Sequence, residues 1–185
     1  MPTHARERLL DSAEGLFYRH GIQAVGIDRL LEDSGVGRAS FYRHFESKDA
    51  LVTAVLARRD AAWREMFDDI LEACDGEPLA LFDAMAMRYA ENDFRGCAFI
   101  NAVVEAADRN SPWHQIAVAH KHALIEQITK SLRAAGHADA KTQASQWVLL
   151  LDGAVVTAMR EGHAGPIQQA GRMAAQLLDR PIHST

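Results

Sequence analysis

Apolar residues recur along the chain at helical spacing almost throughout. Between residues 5 and 20, Leu9, Ala13, Leu16 and Phe17 fall at i, i+4, i+7 and i+8 and form one stripe. Arg6, Glu7, Glu14 and Arg19 lie mostly off it, and Gly21 is the expected stop. Ile27, Leu30 and Leu31 share a face of a short second helix that runs to Ser34. Gly35 follows where a tight turn needs a residue that accepts positive φ, and Val36 plugs that turn. A third helix starts near Arg38, with Phe41 and Phe45 four apart on one face. Leu16, Phe17, Ile22, Leu30, Phe41 and Phe45 are expected to make a small shared core. Ser47 then caps a fourth helix from Lys48 to about Cys74.

Breakers divide the remainder. Asp75-Gly76-Glu77-Pro78 ends the fourth helix, and Leu79 to Asn92 reads as the next, with Leu79, Phe82, Met85, Ala86 and Tyr89 on its stripe. Arg95-Gly96 breaks again before a short apolar helix from Cys97 to Asp108. Ser111-Pro112 opens a long helix to about Ala135, ended by Gly136. Another runs from Asp139 or Ala140 to near Gly162, and Gly165-Pro166 introduces a last one to about Leu178. No stretch alternates as a strand would, and no repeat or low-complexity tract is present. The expected fold is all-α, with about nine or ten helices. A three-helix helix-turn-helix head occupies residues 1–47 and a helical body residues 48–185. The two share the fourth helix, with no flexible linker between them.

Composition adds limits. The 185 residues are 48% hydrophobic and 24% charged, ordinary for a globular protein with a real core. Cys74 and Cys97 make no disulfide framework, and no apolar run approaches the ~20 residues of a membrane helix. A cytoplasmic, reduced setting is expected. The net charge is −5, and residues 1–50 hold seven Lys or Arg against eight Asp or Glu. A general coating of polyanion is therefore disfavoured, and any contact with nucleic acid must be local.

The third helix offers such a contact. Opposite its phenylalanines, Arg38, Ser40, Tyr42, Arg43 and His44 present cations, a hydroxyl and a phenol to phosphates or base edges. The chain from residue 6 to 56 resembles the DNA-binding domain of the TetR family of bacterial transcriptional regulators. The resemblance is carried by Arg8-Leu9-Leu10-Asp11-Ser12-Ala13, Leu16-Phe17, His20-Gly21, Ile27-Asp28-Arg29-Leu30 and Gly35-Val36. It continues through Phe41-Tyr42-Arg43-His44-Phe45 and Ser47-Lys48-Asp49-Ala50-Leu51. The chain departs from the family at Val25-Gly26 and Gly37, where hydroxyl residues are common.

Arg38, Ser40, Arg43 and His44 are the expected base readers, and Ala39 offers its methyl to thymine. Tyr42 and Lys48 are expected to hold phosphate; Lys48 in a first helical turn opposes the helix dipole unless an anion approaches. Arg6 is either a backbone contact or a solvated charge. The resemblance implies a homodimer on a palindromic DNA operator, built from residues 112–135 and 140–162. The alternative for the second of these helices is burial within one monomer. It also implies an effector pocket in the body. Trp63, Met66, Phe67, Phe82, Met85, Tyr89, Phe99, Trp113 and Ile116 form a bulky apolar set, with Asn101, Glu105 and His120 as polar candidates. Each of these is otherwise simply core. The effector would be a small lipophilic or aromatic molecule.

Cys97 near a helix start is either a reactive thiol or an inert one. His114, His120, His122 and His137 lack metal-ligand spacing, so neither metal nor cofactor is expected. The favoured reading is a ligand-responsive repressor. An enzyme is the first rival, but the chain has no phosphate-binding glycine loop and no nucleophile elbow. A helical protein-interaction module is the second.

Overall fold

The computed structural model describes residues 4–89, 94–106 and 108–178. All regular structure among them is helical: α1 Ala5–His20, α2 Ile27–Ser34, α3 Arg38–His44, α4 Lys48–Ala73, α5 Ala80–Tyr89, α6 Ala98–Glu105, α7 Pro112–Ala134, α8 Ala140–Glu161 and α9 Gly165–Leu178. The expected helix over 79–92 starts at Ala80, and its far end falls outside the described residues. The one expected over 97–108 is shorter. It closes at Glu105, and beyond it the Asp108 carboxylate accepts the Asn110 N–H at 2.8 Å, a local turn that competes with helix.

Two compact units emerge, and both are discontinuous in sequence. The first comprises residues 4–61 together with 98–119; the second comprises 62–97 and 120–178. This division differs from the boundary drawn after residue 47: the start of α4, the whole of α6 and the start of α7 belong with the head.

In the first unit, Leu16, Phe17, Ile22, Leu30, Phe41 and Phe45 are all buried, as the spacing predicts. Gly21 ends α1 at φ 88° and ψ 152°, a conformation that side chains with a Cβ rarely adopt. Gly35 ends α2 in the left-handed region at φ 62°. Ser34 secures the same turn, its hydroxyl accepting the Val36 N–H at 3.3 Å. Ser47 caps α4 by accepting the Ala50 N–H at 3.1 Å. Charges clamp α1 to α4. Arg58 bonds Asp11 at 2.7 Å and Glu14 at 2.6 Å, while Arg59 bonds Glu14 at 3.1 Å and lies over the Tyr18 ring. Burial pulls the Arg58 guanidinium down, but the hydrogen bonds it donates to Glu14 and Asp11, with their negative charges, outweigh it and leave the group above its ordinary value.

The second unit is built on one apolar cluster. Phe67, Leu81, Phe82, Leu124, Ile128 and Trp147 are fully or almost fully buried in it, and Trp147 meets Phe82 edge-on at 5.3 Å. Helix α9 closes over α5 and α8. At Gly171 it comes so near α5 that an added Cβ would sit 2.9 Å from the Phe82 Cβ. Lys121 of α7 is paired with Asp152 of α8.

Candidate nucleic-acid interface

Helix α3 owes its orientation to two rings. Phe41 is completely buried and Phe45 nearly so, their centroids 6.1 Å apart, which turns the intervening residues outward. Arg38, Ala39, Tyr42 and Arg43 are exposed, and Ser40 and His44 are half-buried. Tyr42 is 49% exposed, and its ring packs nearly at right angles to that of Phe41, centroids 5.2 Å apart, which holds the phenol in place. Arg43 has no ion-pair or hydrogen-bond partner among the described residues. Arg38 is engaged by Asp28 of α2. Gly37 caps α3 in an extended conformation with no side-chain bond, as expected of a residue without a side-chain oxygen.

Helix α2 is fixed against α1 at two places. Ser12 donates to Asp33 at 2.6 Å, and Arg29 donates to the His20 Nε2 at 2.8 Å. That second bond requires the neutral imidazole with its proton on Nδ1. Arg6 pairs with Glu7 at 3.3 Å and lies over the Phe45 ring, which gives it a place in the head.

Lys48 sits half-buried in the first turn of α4. Burial holds its ammonium below the ordinary lysine value, while Asp49 and Glu105 oppose that shift. Glu105 reaches further. Its Oε2 accepts the Gln23 backbone N–H at 2.8 Å, and its carbonyl accepts from the Gln23 side chain at 3.4 Å. A Cβ on Gly21 would stand 3.2 Å from both of its carboxylate oxygens. Glu105 therefore serves the α1–α2 turn of the head, a role that periodicity does not reveal.

The expected effector residues divide between the units. Phe99, Asn101, Glu105 and Trp113 fall in the first, where Phe99 and Trp113 are buried. Asn101 and Glu105 line a cleft there with Glu14, Phe17, Val52 and Arg59. It encloses about 30 Å³, room for a water-sized group and far below the ~300 Å³ of a small-molecule site. In the second unit Phe67, Phe82, Met85 and Tyr89 belong to the buried cluster. Trp63 is half-buried, stacked on Phe67 at 5.6 Å and met edge-on by the buried His120 at 5.6 Å. Met66 is partly buried against the same cluster, and Ile116, in the first unit, is half-buried. Cys97 is half-buried against the cluster and Cys74 is exposed.

Helix α8 divides its apolar residues. Trp147, Leu151, Ala154, Val155 and Ala158 face the unit's own core, whereas Leu149, Val156 and Met159 are exposed at 74%, 43% and 46%. The apolar residues of α8 are thus mostly interior, with an outer stripe left over. No cluster of metal-binding side chains and no helix long and apolar enough to cross a membrane occurs among the described residues.

Comparison with known proteins decides what this arrangement is. The family model described as "Bacterial regulatory proteins, tetR family" matches residues 9–55, and "Transcriptional regulator LmrA/YxaF-like, C-terminal domain" matches residues 79–173. The chain belongs to the TetR family. Its described residues are all-α, with the helix-turn-helix of that family at the N-terminal end. A TetR-family transcriptional regulator from Streptomyces coelicolor, solved by crystallography, superposes with a TM-score of 0.80 at 32% identity over 94% of this chain and 91% of that one. The HTH-type transcriptional repressor NemR of Escherichia coli is 29% identical over 108 residues, 56% of this chain and 54% of that protein. The chain thus spans about half the length of that relative. The HTH-type transcriptional regulator LmrA of Bacillus subtilis is 20% identical over 183 residues, 95% of this chain and 97% of its own.

Proposed function

We propose that the protein is a ligand-responsive repressor that binds a palindromic operator as a homodimer and is released by a small lipophilic or aromatic effector. One observation carries the reading: burial of Phe41 and Phe45 leaves Arg38, Ala39, Ser40, Tyr42, Arg43 and His44 on the outer side of α3. In this reading Arg38, Ser40, Arg43 and His44 read base edges, Ala39 packs on a thymine methyl, and Tyr42 and Lys48 grip phosphate. The printed name of the NemR relative supports repression over activation. No catalytic role is assigned to any residue.

Two copies are needed because one recognition helix covers too few base pairs, and two-fold dimers set their heads on half-sites ~34–36 Å apart. The exposed stripe Leu149, Val156 and Met159 on α8 supports pairing through the helices over 112–135 and 140–162. The effector lodges against Trp63, Phe67 and His120, where rings meet a buried imidazole. It acts by preferring the conformation that does not bind DNA.

Gel shifts over a salt series test the reading. Binding should weaken steeply as salt rises. Lys48→Ala should weaken it about equally on all sequences, and Arg43→Ala should also relax base preference by roughly 1–3 kcal/mol. Equal loss of preference in both variants would contradict the assignment. For the effector, a thermal-shift screen of small aromatic compounds should yield one that raises the melting temperature and abolishes the gel shift. A stabilising compound that leaves DNA binding intact would refute control by that ligand.

A further inference from the structure

Arg38 opens α3, and its Nη2 donates to Oδ1 of Asp28, in the first turn of α2. The pair is open to solvent, with the Asp28 side chain 88% and the Arg38 side chain 54% exposed. Such a pair contributes little to stability. An aspartate beside a surface meant for phosphates also repels them, so it costs affinity. Neither stability nor affinity accounts for it. Its placement is firm, however. Leu30, two residues on, is completely buried, and the positive end of α2 favours a carboxylate in that first turn.

We propose that Asp28 is a positioning residue for Arg38, one that exchanges general affinity for DNA against sequence selectivity. Arginine carries five donors in a rigid planar fork and, unrestrained, bonds phosphate and base edges alike. With one Nη2 donor held by Asp28, the remaining donors point along a fixed direction. The local charge is neutralised, so a phosphate gains less from the pair than a guanine edge does. Arg43, five residues on, has no such partner among the described residues, and it supplies the unrestrained cation. This inference rests on the regulator reading.

The test uses the full chain and a randomised duplex library as probe. Wild type, Asp28→Ala, Asp28→Asn, Arg38→Ala and the double variant Asp28→Ala/Arg38→Ala each select duplexes. Each is then titrated against the wild-type selected duplex and a shuffled one. Asp28→Ala and Asp28→Asn should bind the shuffled duplex about twofold or more tighter, as removal of one negative charge near phosphates requires. Their preference for the selected duplex should fall by roughly tenfold, the scale of one lost base contact. The relaxed base pair should be the one that relaxes in Arg38→Ala, and the double variant should discriminate no worse than Arg38→Ala alone. Unchanged preference in both Asp28 variants would overturn the proposal, as would losses that add in the double variant. If wild type enriches no sequence, the regulator reading falls and takes this inference with it. If wild type enriches one and the Asp28 variants keep it, only the inference falls.

Discussion

Glu105 shows how much one side chain can hold. Its carboxylate accepts the Gln23 amide at 2.8 Å across 82 positions of sequence, crowds Gly21, and draws on the charge of Lys48. A charge-assisted bond to a backbone N–H is worth about 1.5–3 kcal/mol, less where water competes. Glu105→Ala should therefore lower stability by about 1 kcal/mol and speed amide exchange at Gln23 tenfold or more, which hydrogen-exchange NMR would read. Unchanged protection at Gln23 would mean that the turn stands without it. The outer residues of α3 were legible in the sequence because the spacing of Phe41 and Phe45 alone decides which side faces out. The partners of Glu105 and Asp28 were not. Periodicity says which way a side chain points along its own helix and nothing about a neighbour from elsewhere in the chain.

At the scale of elements, glycines explain two contacts of different kinds. Gly35 was recognisable as a turn because α2 had to stop before Val36, and its φ of 62° is what a side chain would resist. Gly171 carried no such signal. It lies inside α9, where glycine is unfavourable, and its purpose is the approach of α5 at Phe82. Gly171→Ala gains helix propensity, up to about 1 kcal/mol, but forces the Phe82 Cβ aside at a cost of about 1–3 kcal/mol. A net loss of melting temperature is expected by calorimetry. A rise would show that α9 can shift without cost. Helix α6 illustrates the opposite limit: its apolar run extends past Glu105, but the Asp108 turn ends the element early.

At the scale of the whole molecule, the apolar surface of α8 bears on assembly. Leu149 at 74% exposure and Val156 at 43% are large apolar groups in water. In the proposed homodimer they meet their counterparts, so Leu149→Arg with Val156→Arg places four like charges in one interface. Sedimentation should then show a monomer, with operator binding reduced at least tenfold and the melting transition of the single chain retained. A dimer that survives both changes would place the contact elsewhere. The sequence left this helix open between a dimer surface and burial within one monomer, because a helix apolar on more than one side reads alike whether its second side meets its own chain or another.

The head borrows α6 and the beginning of α7 from a point far along the chain. During synthesis, its first sixty residues therefore leave the ribosome before the segment that steadies Gln23 exists. The unit is complete only after residue 119 has emerged, and a fragment ending at 61 lacks the carboxylate that accepts the Gln23 amide.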